Sequence, residues 1–161
     1  MNNTLLQRLD SAADTTGSSV YASNRHVEEV FLASEAVTQG DFLCLDLSKT
    51  DNSDKSLFVK KGTDIGTAAA TGLLIGVCIA TAASGENVRV LVRGIINANC
   101  ATGVVAGDRL VGSATAGRAE AKANIVSDGT TVLDLTFDSI VAYAVGAESG
   151  NVASVYVIPQ F

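Results

Sequence analysis

His26 is the chain's single histidine. Nucleophilic catalysis through Ser or Cys needs a base held against the nucleophile and oriented by an acid. His26 stands beside Arg25 in a polar stretch with no such setting, and reads as an exposed or interface side chain. One histidine also cannot build a histidine metal cluster. The polar run from Ser48 to Ser56 reads as a hairpin tip; Asp51-Asn52-Ser53-Asp54 within it offers oxygen donors for a hard cation, but lacks the turn glycine and the distal bidentate Glu of a calcium loop. Asp41 and Asp108 each follow a glycine and are expected to accept nearby backbone N–H groups in turns. Cys44, Cys78 and Cys100 are odd in number, far apart and free of C-x-x-C spacing, which points to buried free thiols in a reducing cytoplasm. No phosphate-cradling glycine motif opens a helix. The expectation is therefore no catalytic residue, no cofactor and no metal.

Composition narrows the class. The chain has 161 residues, 47% hydrophobic but only 5% aromatic, with 15 Gly and one Pro. That suits one domain whose turns use glycine and whose core is Val, Ala, Ile and Leu. A net charge of −6 with no basic stripe opposes direct nucleic-acid binding, which needs clustered Lys and Arg to displace counterions. Neither a secretory leader pattern nor an apolar run of about 20 residues is present, so no membrane partner is expected.

The elements that must carry these residues are short strands. Strand patterns fall at Val27–Ala33, Gly40–Asp46, Leu57–Lys60, Leu73–Ala80, Val88–Val92 continuing after a bulge into Gly94–Ala98, Val104–Val111, Ala119–Val126, Val132–Phe137, Ser139–Ala144 and Val152–Ile158. Gly62–Gly72 reads equally as loop or short helix. The pattern occurs twice. Gly40-Asp41-Phe42-Leu43, Gly76-Val77-Cys78-Ile79 and Ser84-Gly85-Glu86-Asn87-Val88 correspond to Gly107-Asp108-Arg109-Leu110, Ile140-Val141-Ala142-Tyr143 and Ser149-Gly150-Asn151-Val152-Ala153. Gly40 and Gly107 stand 67 positions apart, Gly85 and Gly150 65. Such spacing predicts an all-β domain, sandwich or barrel-like, with an internal pseudo-repeat over residues 27–161.

Met1 to His26 differs from all that follows. Leu5, Leu6 and Leu9 form an apolar stripe on a helix of one or two turns, and the polar string after Asp14 ends it. Val20, Tyr21 and Arg25 lie in an extended connector. A helix this short is marginal in water, so the segment is expected to be an arm packed on a neighbour.

The order Ala36-Val37-Thr38-Gln39-Gly40-Asp41, Gly76–Ala80, Ala82–Val90, Arg93-Gly94-Ile95, Ala106–Leu110 and Val155-Tyr156-Val157 resembles the tailed-phage capsid decoration, or cement, proteins. The resemblance spans Val27 to Phe161. It implies a β domain that trimerises on the outer surface of an icosahedral head and clamps neighbouring major capsid subunits, a virion protein made in the host cytoplasm. Contacts of the arm would then come from Leu5, Leu6, Leu9, Val20, Tyr21 and Arg25. The arm is longer than the minimal family pattern. Alternatives are a ligand- or carbohydrate-binding β module, which would ordinarily expose stacking aromatics, and a small head-fibre or host-attachment protein. A hydrolase would need a convergent polar pocket, which a chain with a single histidine is not expected to supply.

Overall fold

A computed structural model describes residues 26–63, 74–122 and 140–158. Within them run β1 (Val27–Ala33), β2 (Phe42–Leu45), α1 (Asn52–Leu57), β3 (Phe58–Lys61), β4 (Leu74–Cys78), β5 (Asn87–Asn99), β6 (Arg109–Gly112), β7 (Ala119–Ala121), β8 (Ala142–Ala144) and β9 (Val152–Val157). The fold is mostly β, as expected. β4 is an unbroken apolar run buried along its whole length, whereas β9 alternates buried and half-exposed positions, so its sheet has one face toward a core.

The strands form two five-stranded barrels that share one strand. In the first, β1 runs parallel to β3, then β2, β4 and the N-terminal half of β5 follow antiparallel, and β1 closes the circle on β5. The C-terminal half of β5 then does for the second barrel what β1 does for the first: it pairs with β9, while Cys100 bridges in parallel to Ala119 as Ala33 pairs with Val59. β7, β6, β8 and β9 repeat β3, β2, β4 and β5. The registers coincide residue by residue. Phe42 opposite Val77 and Leu43 opposite Gly76 match Arg109 opposite Tyr143 and Leu110 opposite Ala142. The register shift that the bulge before Gly94 foresaw is present where Val27 faces Arg93 but Glu28 faces Leu91.

The turns repeat to the hydrogen bond. Asp41 and Asp108 each accept, at 2.8 Å, the backbone N–H three residues earlier, from Thr38 and Val105. Gly40 N–H donates to Cys78 O at 2.9 Å and Gly107 N–H to Ala144 O at 2.8 Å. Both glycines sit at positive φ, +90° and +95°, the left-handed region that a Cβ disfavours.

Two expectations are corrected. Sequence matching set Gly76 against Ile140; the ladders set it against Ala142. A slip of two residues keeps every side chain on its own face of a strand, so alternation cannot detect it. The polar run ending at Ser56 is no bare hairpin tip: β2 and β3 do pair antiparallel, but α1 is wound into their connection. Asp51 there is the residue before the helix and Asp54 lies in its first turn, where a carboxylate is favoured. The strand pattern at Val132–Phe137, the end of that at Ala119–Val126 and most of the loop-or-helix stretch Gly62–Gly72 lie outside the described residues.

The interiors are distinct. Leu43, Val59, Ile75, Cys78, Val88 and Val90 fill the first barrel. Leu110, Ala119, Ala144, Ala153 and Val155 fill the second, in one cluster with Phe42, Leu74, Val77 and Leu91 from the outer face of the first. That shared cluster seats one barrel on the other.

Candidate functional site

The residues with the most reactive side chains are used structurally. His26 Nε2 meets Glu28 Oε1 at 2.6 Å, and Glu28 also pairs with Arg89 across to β5. Hydrogen bonding from His26, with Arg89 adding to it against the cost of burial, holds the Glu28 carboxyl below the usual range. This tie secures β1 where the chain enters the barrel. All three cysteines are buried thiols outside any disulfide. Burial pushes the Cys78 and Cys100 thiols up to about 11, far from the thiolate a nucleophile needs. Among the described residues no group of three or more His, Cys, Asp or Glu side chains converges.

Leu5, Leu6, Leu9, Val20, Tyr21 and Arg25 all lie outside the described residues. Only the last residue of the expected arm, His26, is placed, one residue before β1.

Two buried carboxylates were only half legible. Asp41, 5% exposed, serves its turn but also accepts from Asn99 Nδ2 at 2.8 Å, with Lys61 Nζ at 3.5 Å. Asn99 belongs to the second barrel's half of β5, so this carboxylate ties the barrels together. Asp46, 4% exposed, accepts from Ser34 Oγ and Ser48 Oγ and faces Lys60 Nζ at 3.4 Å. Burial alone would raise its pKa; the two serines and Lys60 outweigh that and hold it well below the usual carboxylate range.

The surface that sequence reasoning missed is the outer face of β6, β8 and β9. Arg109, Tyr143 and Tyr156 are cross-strand neighbours there. Their counterparts in the first barrel, Phe42, Val77 and Leu91, are wholly buried between the barrels. Arg109 is exposed, Tyr143 is 41% exposed and Val145 51%. Once the β4 and β8 registers are known, the signal is plain: apolar side chains in one copy stand where the other has Arg and Tyr.

No family model matches the chain, and no curated protein does. Among solved structures it is similar to the N base of head fiber gp8.5 in bacteriophage phi29, with 14% identity over 82% of this chain and 93% of that one, at a TM-score of 0.46.

Proposed function

We propose that the chain is a structural virion protein that binds the outside of a phage head as a trimer and cements neighbouring major capsid subunits. The observation that carries this is the pair of barrels fused through β5 and seated on a shared core. That is a rigid body with its reactive groups turned to structural use, entered by a segment whose leucines need a neighbour. A clamp asks for rigidity and contact area, and the arm supplies area that is gained only on binding. Burying Leu5, Leu6 and Leu9 would contribute about 1.5–3 kcal/mol each before ordering entropy is subtracted. The phi29 protein's name suggests a second reading, a head-fibre base, but a likeness at a TM-score of 0.46 is too slight to weigh between them.

The test is decoration of undecorated heads. The full chain should bind them and raise their resistance to heat or chelation, while a variant beginning at Val27 should stay folded and bind orders of magnitude more weakly. Binding without added capsid stability would favour the fibre base. A full chain that leaves heads bare ends both readings.

A further inference from the structure

The internal duplication supplies a template for an interface that the described residues leave open. In the first barrel the Phe42 N–H donates to Gly117 O at 2.9 Å, and Gly117 N–H donates to Gly62 O at 2.7 Å. Gly117 lies on the short β6–β7 connection, so a connection from one barrel is hydrogen-bonded onto the strand end of the other. Arg109 is the counterpart of Phe42, and Lys122 N–H bonds its carbonyl at 2.7 Å just as Gly62 N–H bonds that of Phe42 at 2.8 Å. Yet Arg109 is exposed where Phe42 is wholly buried. The neighbouring Tyr143 and Val145 are equally uncovered, while their counterparts Val77 and Ile79 pack on the shared cluster.

The first barrel's equivalent of the β6–β7 connection is the β2–β3 connection, and it too is unfinished. Leu47 and Leu57, at either end of it, are 51% and 44% exposed. Asp51 precedes α1 without capping it by its side chain, while Lys55 is engaged by Asn52 at 3.2 Å. A large exposed apolar side chain is ordinary when single; two matched sets on opposite partners of a repeated contact are not.

We infer that a second copy of this chain docks head to tail, its β2–β3 connection covering the Arg109–Tyr143–Val145 face as the β6–β7 connection covers Phe42 within the chain. Asp51 of the incoming copy meets Arg109, and its Leu47 and Leu57 meet Tyr143 and Val145. Arg and Tyr are the side chains that carry binding energy at protein interfaces. Because the two surfaces differ, the contact is heterologous, and such contacts close into a ring when their rotation divides the circle. This rests on the trimer proposed above and names its interface.

Sedimentation equilibrium on the full chain tests it. The wild type should associate; Arg109→Glu or Asp51→Arg alone should weaken association by about 30-fold or more, and the pair together should recover at least ten-fold of that loss. Tyr143→Ser should weaken association without altering the thermal melt. A monomeric wild type, single variants that associate normally, or a charge swap that recovers nothing overturns the inference. Association unchanged in Arg109→Glu while head binding drops makes the face a capsid contact and also overturns it, leaving decoration intact. Association through this face by a protein that leaves heads bare upholds the interface and removes the decoration reading.

Discussion

The two barrels share their strand order, with the parallel β1–β3 ladder of the first reduced to the Cys100–Ala119 bridge in the second, and they differ in what fills and covers them. Where the first has Val59 and Val88 inside, the second has Ala119 and Ala153. The second barrel's smaller interior groups share one cluster with Phe42, Leu74 and Leu91 from its partner's outer face. Backbone pairing therefore specifies the architecture, and side-chain volume is distributed over the pair rather than balanced within each copy.

The sharpest break of that equivalence is at Gly76, whose counterpart is Ala142. A Cβ on Gly76 would stand 2.2 Å from Leu91 O and 2.8 Å from Val90 Cγ1. Gly76→Ala should cost about 3 kcal/mol, against about 1 kcal/mol for Ala142→Gly. Equal losses in denaturant titrations would show that the two strand pairs approach alike.

Exchanging interior volumes comes next. Val59→Ala should cost about 2 kcal/mol through lost burial and a cavity, and Ala119→Val a similar amount through overpacking. If Ala119→Val stabilises the protein, the second interior is underfilled. At the turns, Gly107→Ala has open space around its Cβ, so only the positive φ penalises it, by about 1 kcal/mol. Gly40→Ala adds a contact at 3.3 Å with Asn99 Oδ1 and should cost more.

The smallest effect concerns acid. Asp46 and Ser113, each 4% exposed, occupy corresponding places: Ser48 N–H reaches Asp46 Oδ1 at 3.2 Å and Thr115 N–H reaches Ser113 Oγ at 3.3 Å. The Asp46 pKa is lowered by folding from an ordinary value of 3.8. Its contribution is thus whole above pH 4 and is lost as pH falls toward the folded-state value. The protection of amides near β2 and β3 against exchange, relative to their intrinsic rates, should fall on acidification, with β6 and β7 lagging, and Asp46→Ser should erase the difference.

The sequence disclosed the repeat because Gly40, Gly107, Gly85 and Gly150 all stand at positive φ, where side chains are costly, so glycine marks the turns in both copies. It disclosed β1 to the residue, through a β-branched and apolar run bounded by polar turns. It did not disclose α1, because five polar residues and a lone Leu57 carry no apolar stripe and bury none of their number. Nor did it disclose the outer face of Arg109 and Tyr143. That face is defined by what the other copy buries, and only the correct strand register brings the two into comparison.

The sharing of β5 has a mechanical consequence. Tandem modules ordinarily meet at a hinge, and an outward pull on one bends the joint before it loads the other. Here thirteen consecutive residues run through both barrels, bonded laterally to β1 and β4 on one side of the midpoint and to β9 on the other. Force applied to either barrel reaches its neighbour as shear along a common beam, spread over many parallel hydrogen bonds. A body held by one barrel therefore yields only when several strands let go together, which is the behaviour wanted of a rivet.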